Sequence, residues 1–251
     1  MSAADRMLWY KSWTETRRFF IMGAVMLCTL VVALYMSYPG TPGKEFPHGA
    51  IAVGADQVRT MAADARSYIW LHWFGNTLLI WLPFLALAVA GTGIPASSRA
   101  YYALSMPVSR RRIASIRAAT GFVELIAAAA VSSLLVSGLA LAVGTTYPPW
   151  ESAVQTLLAV AGVSAFYGLF VFLSATLGGM SKAIAGGAFL LLYGMLTFLI
   201  PQVREHSVFR LMTGDMYFLH GQIPWLTIAA CLVCGSTLVW ISVTIVTRRD
   251  Y

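Results

Sequence analysis

The chain has 251 residues, 59% hydrophobic and only 11% charged, with a formal net charge of +7. A soluble domain carries roughly a quarter charged residues, so long apolar runs account for the balance and the bilayer is the solvent to reason in. No basic stretch interleaves with base-stacking aromatics outside those runs. Nucleic-acid binding is therefore not expected, and the cations read as the ends of membrane helices.

Taken in chain order, the first element is residues 4–18. Trp9 and Trp13 are four apart, and Arg6, Tyr10 and Arg17 fall near helical spacing. The pattern predicts an amphipathic helix lying in the membrane interface, anchored by Trp9, Trp13, Arg17 and Arg18. A disordered basic tail is the alternative, against which three aromatics count. Residues 1–18 are polar and no small-residue cleavage site follows the first apolar run, so a signal peptide is not expected.

Six runs are long enough to span: 19–38, stopped by Pro39 and Gly40; 68–90; 118–143; 153–177; 183–200, ended by Pro201; and 225–246. At about 1.5 Å per residue, 20 residues cover roughly 30 Å of hydrocarbon. The fold class expected is an all-α integral membrane protein, with 1–251 as a single transmembrane domain. Gly178 to Lys182 suits a tight hairpin between the fourth and fifth spans. Tyr68, Trp70, Trp73, Trp150 and Trp225 sit at span ends, where amphipathic rings favour the interface.

Two connecting segments are not plain loops. In 92–117, Ser97 or Ser98 can cap a short helix through Met106 that Pro107 ends, and Ser109 can cap the third span. Arg110, Arg111 and Arg112 then fall in its first turn, where the helix dipole disfavours cations. Anionic lipid head groups, at about 1 kcal/mol per basic residue, or an acidic partner surface would justify them. In 201–224, Val208–Met212 and Met216–Leu219 are too apolar for a solvated loop and too short to span. They read as partly inserted or re-entrant helices packed on protein. Residues 54–67 have helical character that can extend the second span.

With the N-terminus inside, 12 of the 17 lysines and arginines fall in inner segments and 5 in outer ones. Both termini are therefore expected in the cytoplasm.

Sites of chemistry are sparse, and no catalytic residue is expected on this chain. Gly40 to Lys44 lacks the spacing of a Walker A loop, and no H-E-x-x-H or paired C-x-x-C zinc pattern occurs. His48, His72, His206 and His220 are scattered, so no metal site is expected. Gly235-Ser236 lacks the second glycine of an intramembrane protease nucleophile. Cys28, Cys231 and Cys234 all lie in apolar runs, where thiols read as small packing residues. One intramembrane acid stands out. Glu124 lies two turns into the third span and seven residues after Arg117. A polar transport surface, a gate contact, a structural pair with Arg117 and a helix-packing hydrogen bond are all open to it. Asn76, Pro83 and Gln155 are weaker interruptions of the same kind.

The stretch Leu104-Ser105-Met106-Pro107-Val108-Ser109-Arg110-Arg111-Arg112, with Tyr102 and Ala103 before it, resembles the "LSLPVSRRR" signature of bacterial type-2 ABC-transporter permeases. There it follows the second span and opens the third. Leu8 to Arg18 is similar to the segment before their first span, and the six-span pattern covers the whole chain. Met106 replaces the usual Leu. The resemblance implies an interfacial elbow helix at 4–18, a coupling helix at about 98–112 that docks on a separate ATP-binding subunit, and re-entrant helices before the last span. It also implies a second permease chain, identical or related, a bacterial inner-membrane location, and ATP and magnesium on the partner only. A stand-alone secondary transporter or membrane assembly factor is the alternative.

Overall fold

The computed structural model describes residues 3–37, 65–92, 109–144, 147–177 and 180–248. Among them every regular element is helical. Six helices are long and apolar enough to cross a membrane, which makes this a multi-pass membrane protein. They are α1 (Ala3–Met36), the composite α2, α3 (Arg110–Val143), α4 (Pro149–Thr176), α5 (Ser181–Leu199) and α9 (Trp225–Arg248). Three short helices, α6 (Pro201–Glu205), α7 (Val208–Thr213) and α8 (Asp215–His220), lie between α5 and α9. The apolar runs match the helices to within a few residues at most ends, and two helices start well ahead of their runs. The third helix begins at Arg110, eight residues before its apolar run, where Ser109 was expected to cap it, and the first absorbs the segment ahead of it.

That segment is not a separate element. α1 continues without a break from Ala3 to Met36. Leu8, Ser12 and Thr16 are buried at four-residue spacing, and Leu27, Val31, Leu34 and Tyr35 continue the same stripe. The stripe docks on α3 along its length, so helical periodicity carries straight through the polar start of the helix. Trp9 and Trp13 are half-buried on its flank, Trp13 packs on Phe20 at 5.3 Å, and Arg17 and Arg18 are exposed.

α2 is built from Ala65–Ile69, a π-helical stretch Trp70–Leu78 and Leu79–Thr92 with Pro83 inside. The wide turn has side-chain support: Asn76 Nδ2 donates to Leu71 O at 2.9 Å and Thr77 Oγ1 to His72 O at 2.8 Å, both five residues back. The adjacent Trp73 and Phe74 within this stretch are both fully buried in the core.

Register between helices fixes their directions. Glu15 meets Arg117 and Tyr35 Oη donates to Val136 O at 2.7 Å, so α1 and α3 are parallel. Ser133 lies opposite Ser152 and Tyr167 Oη donates to Ala118 O at 2.7 Å, so α4 returns antiparallel to α3. α9 runs parallel to α4: Ser164 Oγ donates to Cys231 O at 3.3 Å, and a Cβ added to Gly168 would lie 2.5 Å from Gly235 O one turn on. The start of α1 and the end of α9 therefore lie at the end of the bundle that carries Arg110. α4 occupies the centre, while α5 buries only Gly186, Leu190 and Thr197 and presents the rest of its apolar surface outward.

The segment after α5 packs on the bundle through α7. In α7, Leu211 and Met212 are buried and Met212 sits over Gly162 of α4. Ser207 Oγ caps α7 by accepting from Arg210 N at 3.2 Å. Gly214 and Gly221, both at φ 68°, end α7 and α8 in the left-handed region that suits glycine.

Candidate functional site

Of the residues singled out by sequence, Glu124 and Arg117 lie where α1, α3 and α4 meet near the Arg110 end. Leu104, Ser105, Met106, Pro107 and Val108, with the rest of 98–108, lie outside the described residues. Ser109 stands at the N-cap of α3 in extended conformation, as its position predicts. Its side chain makes no capping bond, and its carbonyl instead accepts from Arg112 N at 2.9 Å and Ile113 N at 3.2 Å. Arg111 and Arg112 are exposed and Arg110 is half-buried. Two turns along α3, Arg117 Nη2 meets Glu15 Oε2 at 2.8 Å, with the guanidinium largely covered and the carboxylate partly open to solvent.

Of the readings open to Glu124, the structure shows an interhelical hydrogen bond rather than a pair with Arg117. Glu124 faces α1 instead, where Oε1 is hydrogen-bonded to Thr16 Oγ1. It is buried, and Oε2 has no hydrogen-bond partner among the described residues. Its depth also changes. Counted along α3 alone it is two turns into an apolar run, yet across the interface it is level with Thr16, before the apolar run of α1 begins at Phe19. It is a carboxyl enclosed by protein at the polar edge of the first span. Tyr167 of α4 closes the site from the third side. Gly121 permits this approach, since a Cβ there would meet Tyr167 Oη at 2.5 Å and Val89 Cγ1 at 2.8 Å.

A second polar cluster occupies the opposite end; of its polar side chains the sequence singled out Gln155 as an interruption of a span and Trp70 as a span-end aromatic. Arg66 Nε meets Glu151 Oε2 at 2.7 Å. The Arg66 guanidinium lies 4.7 Å over Phe218, which stacks on Trp70 at 4.3 Å. Trp70 Nε1 donates to Thr213 O at 3.0 Å, tying α2 to the end of α7. Tyr147 Oη donates to Gln155 Oε1 at 3.0 Å, and Ser133 and Ser152 share a hydrogen bond of 2.6 Å. Burial and the neighbouring Glu151 push the Tyr147 phenol upward, so it stays a neutral donor. Arg66 and Glu151 are 85 residues apart. The one local signal was an acid in the first turn of a helix opened by Pro148 and Pro149, where the dipole favours it.

The remaining candidates stay apart. Among the described residues no group of three or more His, Cys, Asp or Glu could hold a metal ion. Cys28, Cys231 and Cys234 are free thiols, half-buried, buried and exposed in turn. His72 Nδ1 is 3.1 Å from Tyr68 O, and His206 and His220 are exposed.

Comparison with protein-family models, with curated proteins and with solved structures returns no match.

Proposed function

We propose that this chain is the membrane-spanning permease subunit of an ATP-driven exporter of the type-2 ABC class. On this reading it is not itself an enzyme. It couples ATP hydrolysis on a separate ATP-binding subunit, where ATP and magnesium reside, to movement of a substrate. It works with a second permease chain in a bacterial inner membrane, with both termini in the cytoplasm. The observation that carries the reading is the Leu104–Arg112 motif, whose three arginines form the first turn of α3. What supports a coupling role is the fabric behind that turn. α3 is pinned to α1 by Glu15–Arg117 and Thr16–Glu124 and to α4 by Tyr167. A push on the Arg110 end therefore reaches three helices.

The test is purification of the tagged chain in mild detergent, assayed for a co-purifying ATPase. The wild type is expected to bring down an ATP-binding subunit in about stoichiometric amount. Arg110→Ala/Arg111→Ala/Arg112→Ala is expected to lose it while inserting into the membrane normally. A chain recovered alone from native membranes, or a triple variant that retains the ATPase, defeats the reading. A stand-alone carrier is the second reading, and the enclosed carboxyl of Glu124 is the feature that favours it.

A further inference from the structure

We propose that the π-helical stretch Trp70–Leu78 is a register switch: it holds the Ala65 end of α2 in one rotational setting against α4 and the α7–α8 segment, and rewinds to α-helix when that contact opens. An α-helix bonds each N–H to the carbonyl four residues back, and a π turn to the carbonyl five back. Two side chains here follow the wider rule. Asn76 Nδ2 donates to Leu71 O at 2.9 Å and Thr77 Oγ1 to His72 O at 2.8 Å, each five residues back. Elsewhere Thr29, Thr120 and Thr244 donate four residues back and Thr197 three. In an α register the two carbonyls turn to the N–H groups of Gly75 and Asn76, one residue nearer, and both side chains lose their present acceptors.

The two ends of α2 are keyed to different partners. Beyond the stretch, Leu85 lies over Gly23 of α1, Leu87 over Gly186 of α5 and Val89 over Gly121 of α3, and a Cβ on any of these glycines would collide with its neighbour. Three helices therefore fix the rotation of the Thr92 half. At the other end a clasp does so. Trp70 Nε1 donates to Thr213 O at 3.0 Å and its ring stacks on Phe218 at 4.3 Å. Arg66 lies over Phe218 and meets Glu151 Oε2 at 2.7 Å. The polar groups of the stretch do not choose its register by themselves, since Trp73 Nε1, fully buried, has no hydrogen-bond partner among the described residues. The anchorages at its two ends choose it.

Of these anchorages the clasp is the one built to open. Phe218 at its centre belongs to α8, a six-residue helix between Gly214 and Gly221 with no buried residue. π turns are rare beside α turns, so with the Ala65 end released the stretch takes the commoner winding. The Thr92 half stays keyed, and the change of winding turns the Ala65 end about the helix axis. Trp70 and Arg66 are carried off Thr213 and Glu151. Opening of the clasp and rewinding of α2 are then one event, through which a displacement of α8 reaches the buried Trp73 and Phe74.

The experiment is oriented-sample solid-state NMR of the 15N-labelled full chain in aligned lipid bilayers, where the amides of a helix trace a wheel that gives its residues per turn. In the wild type, residues 70–78 are expected to trace a wider winding than Leu79–Thr92. In Arg66→Ala/Trp70→Phe, which breaks the clasp, the whole of α2 is expected to trace a single α winding. An α winding in the wild type, or a wide winding that persists in the variant, overturns the inference. Asn76→Leu/Thr77→Val leaves every clasp residue in place, so it decides the matter even where the clasp variant fails to fold. It is expected to show the α winding, and a nitroxide on the exposed Leu219, next to Phe218, is expected to gain mobility. A wide winding or an unchanged label there overturns the coupling. None of these measurements involves an ATPase, so their outcome is separate from that of the co-purification.

Discussion

Glu124 and Arg66 show opposite ways of placing an ionisable side chain in an apolar protein. Glu124 has a hydroxyl for a neighbour and no free cation, whereas Arg66 has a carboxylate and an aromatic face. Glu151 is nearly covered, with 7% of its side chain exposed, and Arg66 is partly open at 40%. Removing the cation alone therefore leaves a covered carboxylate, while removing both leaves a neutral contact. An unsatisfied buried polar group costs about 1–3 kcal/mol, and breaking one side of an ion pair is worse than deleting the pair. Arg66→Ala is expected to lower the melting temperature in detergent more than Arg66→Ala/Glu151→Gln does. A double variant at least as unstable as Arg66→Ala would show that the pair is an incidental surface contact.

Among the elements, the closest approach is between α4 and α9. Gly168 and Gly235 face each other backbone to backbone, and a Cβ on Gly235 would collide with the carbonyl of Ser164. In lipid, where apolar side chains gain nothing by leaving their solvent, such small-residue contacts supply the packing that holds helices together. Gly235→Val is expected to destabilise by about 1–3 kcal/mol through overpacking. Gly187→Ala and Gly194→Ala on α5 meet open space and are expected to leave the melting temperature unchanged. Equal effects at all three positions would place the bundle's tight interface elsewhere. Hydropathy located all six long helices because span length is a property of the local sequence. Hydropathy alone separates residues 4–18 from the first span, yet a polar stretch remains helical when its buried face packs on another helix, as Thr16 does on Glu124 of α3. For the same reason Glu124 was legible as an unusual residue, but its partner was not. Arg117 lies on the same helix at a favourable spacing, while Thr16 is 108 residues away. The π-helical turn in α2 left no sequence mark apart from Asn76 and Pro83.

On the scale of the whole molecule, alternating helix direction brings the start of α1, the Arg110 end of α3 and the end of α9 to one end of the bundle, with the α7–α8 segment at the other. The excess of lysine and arginine at the first end predicts that it faces the cytoplasm. In a cysteine-free background, Arg6→Cys and Arg248→Cys should react with a membrane-impermeant maleimide only after the membrane is breached. Gln222→Cys, exposed just before α9, should react in intact cells. The reverse pattern would invert the proposed topology and remove the arginines of α3 from reach of a cytoplasmic ATPase.

α1 and α3 are each 34 residues long, about 51 Å at 1.5 Å per residue, against roughly 30 Å of hydrocarbon. They are parallel, and the Thr16–Glu124 register starts them nearly level, so both overshoot the bilayer at the arginine end. If pivoted within a membrane and projecting beyond it, two helices cross-linked in this way would form a lever. A sideways displacement at the projecting end would become a smaller and opposite displacement of the far end, where Tyr35 Oη donates to Val136 O. The salt bridge and the carboxyl contact keep the two arms turning as one body, and releasing them would let one helix swing without the other.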